Sequence, residues 1–350
     1  MTPDAELHVH LRGAMPPAWF AGRLAKRTPA EALAAAPRRH LDLFRRFPNV
    51  RAFLDADPAG LPPVERLFEF EGFDGFLASF LFSGYFVRDI EDFRSLLRSV
   101  RREFAAQGLA YVEATVSLPE YLMHGIPLEA LVDALGEESA AERPRMRWIV
   151  DFVRNLGPEA AENLFGRLLA RPPAGWVGIT LGGSEHLFPA APFARLYERA
   201  RDAGLGLSVH AGEAAGPESV REALTALRPH RIGHGVRAAE DPCLVAELAE
   251  RGVPLEVCPS GNVRTGIYRA IEEHPLPLLV RAGVAVTLNT DDPTFFGTSL
   301  AGEYARAAAL GLAPDELARV AANARRYAFD PQIARPKAGS GETAALSPAP

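Results

Sequence analysis

Two histidines one residue apart, His8 and His10 in "ELHVHLRG" (6–13), are the first residues along the chain whose types and spacing suggest chemistry. In a β-strand, residues i and i+2 share a face. Both imidazoles would project together, with Leu7, Val9 and Leu11 packing on the other side. Two neutral imidazoles fill a core poorly because each needs a hydrogen-bond partner, but they make half of a metal site. The pair alone is a weak signal, so other ligands must come from later in the chain. Candidates are Gly183 to Glu185 in "LGGSE", His210 and Glu213 in "VHAGE", His234 in "RIGHGV", and Asp291 and Asp292 in "TLNTDDP". Taken singly, each has a plain reading: His210 as a core histidine, His234 as a turn residue, Asp292 as a cap before Pro293. Three imidazoles and one carboxylate, with water completing the shell, suit a catalytic zinc.

Such a constellation needs a scaffold that brings distant residues to one place. Eight apolar, β-rich runs can be counted: "AELHVHL" (5–11), "LAYVEATV" (109–116), "MRWIVDFV" (146–153), "WVGITLGG" (176–183), "LGLSVHAGE" (205–213), "RIGHGV" (231–236), "VPLEVCPS" (253–260) and "VAVTLNTDD" (284–292). Helical patterns separate the later runs, several opening with Pro and closing with Gly as helix ends do. Strands too apolar to have a wet face, joined by helices, predict a closed (β/α)8 TIM barrel. An open doubly wound sheet is the runner-up, but no GxGxxG turn follows the first strand. The candidate residues then fall at the C-terminal ends of strands, where barrel active sites form. The expected organisation is a single barrel over 1–326. A helical insertion at 12–107 follows strand 1 and covers the mouth, built around the Phe-rich "RLFEFEGFDGFLASFLFSGYFV". A Pro/Ala/Ser/Gly-rich tail at 327–350 is expected to be disordered.

The bulk composition narrows the class. The chain has 350 residues, 48% hydrophobic and 23% charged, with a formal net charge of −6, which gives room for one large barrel core and argues against nucleic acid or an anionic membrane as partner. Cys243 and Cys258 are the only cysteines, so no disulfide framework is implied. No basic, apolar leader and no membrane-length run is visible, and a cytoplasmic location is expected. Lys26 and Lys337 are the only lysines and lie on no predicted strand. That excludes a two-metal barrel site bridged by a modified strand lysine.

The set "ELHVHLRGA", "GGSE", "VHAGEAAGPESV", "RIGHGV" and "TLNTDDP" resembles the motifs of the adenosine deaminase family, in the same order and with similar gaps, over residues 4–325. The resemblance implies that His8, His10, His210 and Asp291 hold one zinc per chain. It implies further that Glu213 protonates the purine N1, that His234 and Asp292 orient the attacking hydroxide and take its proton, and that backbone N–H near Gly183 meets the purine ring. Those roles suit attack on C6 of a purine, which needs a nucleophile at neutral pH and a proton delivered to the ring. A small purine nucleoside is the implied partner. A non-catalytic nucleoside-binding protein on the same scaffold would lack at least one of these residues, and none is missing.

Two positions depart from relatives that act on adenosine. Their acidic residue after the HxH pair, which meets the nucleoside 5′-hydroxyl, is Arg12 here, and "TLGGSE" has Thr180 and Ser184 where carboxylates are usual. Thr180 and Ser184 read as drift in supporting positions. Arg12 could form a forked pair with a carboxylate on a 5′-extended substrate, or pair with a carboxylate of the insertion. The motifs lie closer to the bacterial branch, which includes enzymes for adenine, adenosine and 6-amino-6-deoxyfutalosine, an acid-bearing adenosine analogue of menaquinone biosynthesis. Adenine ranks third, because adenine deaminases usually carry an acidic residue where this chain has Gly233.

Overall fold

The computed structural model describes residues 3–57 and 60–334. Its strands are β1 (Ala5–His10), β2 (Tyr111–Val116), β3 (Arg145–Asp151), β4 (Trp176–Thr180), β5 (Gly206–Leu207), β6 (His210–Ala211), β7 (Ile232–His234), β8 (Leu255–Val257) and β9 (Val286–Leu288). β5 and β6 are two halves of one stave, so the eight predicted strands are all present. Every pairing is parallel. Two seams close the ring: Val9 bridges Asp291, and His210 N–H on β6 donates to the Leu181 carbonyl past the end of β4 at 3.3 Å. This is the closed barrel that the apolar runs predict.

Strand alternation sends one row of each stave inward. On β1 that row is Glu6, His8 and His10, while Ala5, Leu7 and Val9 are buried on the outer side, beneath the helices. Many of those helices begin with Pro in the first turn, as at Pro158, Pro217, Pro242 and Pro314. The missing Pro N–H costs nothing where no intrahelical acceptor exists. The helix Pro242–Arg251 stops at Gly252, whose φ of 63° a side chain would resist.

Among the described residues, six α-helices lie between β1 and β2, from Pro17–Leu24 to Ile90–Ala106. The Phe-rich helix Gly72–Gly84 is apolar on more than one face. Phe82 stacks inside the insertion on Phe20, Phe44 and Phe86, whereas Phe76 and Phe80 meet Phe295 and Phe296 beside the C-terminal end of β9. The insertion is thereby tied to the strand end that carries Asp291 and Asp292.

The boundary at 326 falls too early. Tyr327 to Asp330 close the barrel floor: Phe329 lies where a Cβ on Gly178 or Gly206 would collide with it, and Arg147 Nε reaches Asp330 at 2.8 Å. The rest of the expected tail, 335–350, lies outside the described residues. Among the described residues, no helix is long and apolar enough to cross a membrane.

Candidate active site

The inward row of β1 places His8 and His10 at the strand's C-terminal end, opposite Asp291. His8 Nδ1 donates to Glu256 Oε2 at 2.8 Å, which leaves the lone pair on Nε2. That buried Nε2 has no hydrogen-bond partner and sits 3.5 Å from Asp291 Oδ1; His10 Nε2 is 3.3 Å from the same oxygen. The His210 ring centroid lies 4.7 Å from that of His8, and the His234 centroid 4.9 Å from it. His210 Nδ1 faces the Thr180 hydroxyl at 3.3 Å. Four imidazoles and a carboxylate from four staves, two of the imidazoles on β1, therefore meet at one end of the barrel.

These residues fit a metal ion. Burial disfavours charge on a histidine, yet Asp291 and Glu256 raise His8 to about 10, and Asp292 with Asp291 raises His10 to about 9. The pocket demands a positive charge at His8, which a metal ion on the otherwise unpartnered Nε2 would supply in place of a proton. Donor atoms of His8, His210, His234 and Asp291 lie within 4.8 Å of one another, as do those of His10, Asp291 and Asp292. The ligand set implied by the resemblance, His8, His10, His210 and Asp291, is thus divided between two groups that share Asp291. His234 and Asp291 are held at φ of 60° and 61°, a strained backbone for residues with side chains.

The proton-handling candidates border this cluster. Glu213 Oε2 lies 3.6 Å from His234 Nε2. Burial, reinforced by the charges of Asp291 and Glu185, holds the Glu213 carboxyl well above its ordinary range, which favours its protonated form. Asp292 is pushed up to about 8 by burial and by Asp291, and it touches the backbone of the β1 loop, where a Cβ on Gly13 would clash with its carboxylate. Gly183 takes φ 99°, and a side chain there would meet Asn155. Its neighbours' N–H groups are taken, Gly182 by Asp151 at 2.8 Å and Ser184 by Asn155 at 2.9 Å; among the described residues no acceptor faces the N–H of Gly183.

Arg12 sits differently from the free fork a substrate acid would need. It is 4% exposed, with Nη2 donating to Glu120 Oε1 at 2.9 Å, Nη1 to the Phe80 carbonyl at 2.5 Å, and the Phe80 ring 3.6 Å away. A Cβ on Gly84 would occupy the Nη1 position. The pairing carboxylate comes from the short helix Leu118–Met123 after β2 and not from the insertion. Thr180 serves as the hydroxyl partner of His210, and Ser184 accepts from Asn155 Nδ2 at 3.0 Å.

Several supporting roles, including that of Glu185 within the GGSE motif, carry no signal in the motif spacing. Glu256 orients His8 and forms an ion pair with Arg231 at 2.5 Å; Arg231 in turn faces Glu113 at 2.7 Å. Glu185 accepts from the N–H groups of Gly212, Glu213, Ala214 and Ala215, and so holds the loop that carries Glu213. The readable hint is a charged residue inside an apolar strand, as Glu113 in "YVEATV" and Glu256 in "PLEVCP".

Comparison with known proteins agrees with this geometry. A protein-family model described as adenosine deaminase matches residues 3–338. An aminodeoxyfutalosine deaminase of Streptomyces avermitilis is 39% identical over 315 residues, spanning 88% of this chain and 81% of that protein. An adenine deaminase of Rhizobium meliloti is 36% identical, spanning 95% of this chain and 96% of its own. The crystal structure of an adenine deaminase from Arthrobacter aurescens superposes with a TM-score of 0.79 at 28% identity, covering 95% of this chain and 96% of that one. With a family match across nearly its whole length and a buried His/Asp cluster at the barrel mouth, the chain belongs to the adenosine deaminase family and is a hydrolytic deaminase acting on C–N bonds.

Proposed function

We propose that the chain is a zinc-dependent deaminase that removes the 6-amino group of an adenosine-type purine nucleoside and releases ammonia. The observation that carries the reading is the convergence of His8, His10, His210 and Asp291 beside Glu213, Asp292 and His234, with His8 Nε2 buried and unpartnered. Those four residues would hold the metal. Bound there, zinc would supply a water acidic enough to attack at neutral pH.

The remaining steps belong to side chains of this chain. Glu213, whose protonated form its buried setting favours, hands a proton to the ring nitrogen so that aromaticity can break at C6. Asp292 and His234 orient the attacking water, and its proton leaves to this pair. Gly183 N–H meets an acceptor on the purine ring, with Asp151 and Asn155 fixing the turn on either side.

For the substrate we infer a 5′-extended adenosine such as 6-amino-6-deoxyfutalosine, which would place the enzyme in menaquinone biosynthesis. The support is the similarity to the Streptomyces aminodeoxyfutalosine deaminase together with Gly233: an added Cβ there would come within 2.8 Å of His8 Cε1, so the acidic residue usual in adenine deaminases has no room. Adenine is the second reading, favoured by the comparable similarity to the Rhizobium enzyme. Steady-state assays of zinc-loaded protein on adenine, adenosine and 6-amino-6-deoxyfutalosine test both. The highest kcat/KM is expected on the extended nucleoside. A preference for adenine would exchange the two readings, and failure on every 6-aminopurine would overturn the function.

A further inference from the structure

By distance alone, His234 is as well placed to bind a metal ion as its neighbours, since its donor atom belongs to the same 4.8 Å group as those of His8, His210 and Asp291. What a histidine offers depends on which nitrogen carries the proton, and a chain of hydrogen bonds behind His234 decides that. It starts from the backbone N–H of Leu276, which can only donate, and which reaches His274 Nδ1 at 3.1 Å. His274 Nδ1 is therefore the acceptor, and in the neutral ring the proton sits on Nε2. Nε2 faces Asn262 Oδ1 at 3.2 Å, an amide oxygen that can only accept. With its oxygen engaged there, the Asn262 amide turns its NH2 toward His234 Nδ1, at 3.3 Å. An NH2 group can only donate, so His234 Nδ1 keeps its lone pair and the ring proton lies on Nε2, toward the reacting centre.

We propose that Asn262 and His274 are positioning residues that lock His234 with its proton on Nε2, making it a hydrogen-bond donor to the attacking water and not a metal ligand. The proposal rests on the deaminase reading for the identity of that water. It divides a role shared by two residues: His234 donates to the water oxygen, and Asp292 takes the proton. A donor aimed at that oxygen gains strength as negative charge develops on it.

Other features of the molecule point the same way. Asn262, His274 and His234 are 0%, 3% and 1% exposed, so water does not compete for these bonds. Asn262 is fixed in turn by the helix Pro259–Arg264, packed against the C-terminal end of β8, and its own carbonyl accepts from Ile267 and Tyr268. Burial pushes His274 down to about 3, which keeps the ring neutral, and the Leu276 N–H then fixes its tautomer. His8 has the opposite arrangement: the Glu256 carboxylate takes the proton on Nδ1 and leaves Nε2 bare. The two histidines, less than 5 Å apart by ring centroid, are thus set for opposite tasks by their rear partners.

The test reads the tautomer directly. Protein labelled with 15N in histidine is examined by long-range 1H–15N NMR with and without zinc, His234 being assigned from its loss in His234→Gln. The expected spectrum shows an unprotonated Nδ1 and a protonated Nε2 for His234 in both states. In Asn262→Asp a carboxylate faces Nδ1 and draws the proton there. The tautomer should then reverse, with kcat falling by about the 10²–10³-fold typical of a lost donor to a developing oxyanion, and with KM little changed. A protonated Nδ1 in the wild type would overturn the proposal, and that spectrum decides the matter even if a variant fails to fold. A reversed tautomer with wild-type kcat would overturn it as well. The expected wild-type tautomer in a protein that deaminates no 6-aminopurine would uphold the assignment of Asn262 and His274 and sink only the deaminase reading.

Discussion

Asp291 and Asp292 are adjacent in sequence, yet their surroundings drive them apart. Burial alone would raise both. His10 and His8 outweigh it at Asp291 and hold that carboxyl well below its usual range, whereas Asp292 is pushed up to about 8. Two carboxyls with separated ionisation suit two tasks, one permanently anionic and one able to carry a proton near neutrality. Asp291→Ala is expected to lower zinc occupancy, measured by elemental analysis. Asp292→Ala should retain zinc and cut kcat by about the 10²–10⁴-fold of a general acid–base group; the reverse pattern would exchange their roles. Glu213→Gln should also keep its zinc while losing turnover by a similar factor, and near wild-type rates would remove it as the proton donor. Arg12 belongs at this scale too. With its fork engaged by Glu120 and the Phe80 carbonyl, Arg12→Ala should reduce kcat/KM for adenosine and for 6-amino-6-deoxyfutalosine to the same extent. A loss confined to the acid-bearing substrate would instead make Arg12 a substrate contact.

At the scale of elements, the first helix of the insertion and the turn after it are pinned to its last helix by one buried carboxylate. Asp92 accepts from Arg88 N–H at 3.1 Å and pairs with Arg23 and with Arg27. Burial alone would raise its pKa, but these three donors outweigh burial and hold it below the ordinary value. A carboxyl depressed in the folded state contributes stability that is present above its unfolded pKa and lost as pH falls through the folded one. Asp92→Asn should therefore lower the melting temperature at neutral pH and cost little in acid. Thermal melts of both proteins across pH 7 to 3 would show the gap closing; a gap of constant size would mean that packing, not charge, is lost. The insertion also marks the limit of what periodicity reveals. The staves were legible because strands buried on both faces read as apolar runs, and the Pro and Gly that punctuate the later helices are local signals. The Phe-rich helix Gly72–Gly84 packs through Phe82 on Phe20, Phe44 and Phe86 and has no clean amphipathic stripe of its own, so a Phe-rich stretch shows that a cluster exists but not how many helices share it. The same holds near the chemistry. The HxH, HAGE, GHG and TDDP segments announce themselves, but the grip of Glu185 on the loop of Glu213, or of Glu256 on His8, joins residues whose spacing has no meaning until the barrel closes.

The whole barrel is organised along its axis, from a charged floor to a metal-ready mouth. Below His8 lies a buried row in which Glu256 pairs with Arg231 and Arg231 with Glu113, each 0–1% exposed in its side chain. The row is sealed from beneath by Phe329, whose ring lies 3.5 Å from the Arg231 guanidinium, while Arg231 Nη1 donates to the Tyr327 carbonyl at 2.9 Å. The C-terminal segment therefore supports the site from the opposite end of the barrel. Buried charges of this kind are costly to strand and cheap to remove together. Arg231→Met should destabilise the fold by about 3–5 kcal/mol, because two buried carboxylates lose their counter-charge. Adding Glu113→Gln and Glu256→Gln to it should recover most of that loss, since no unpaired ion remains. Zinc affinity should not recover with it. His8 would have lost the carboxylate that holds its proton on Nδ1, a change that typically costs 10–100-fold in metal binding. Thermal melts and zinc titration of the single and triple variants separate the two effects. A triple variant that regained both stability and wild-type zinc affinity would show that the charged row serves the fold alone and that Glu256 does nothing for the metal ligand above it.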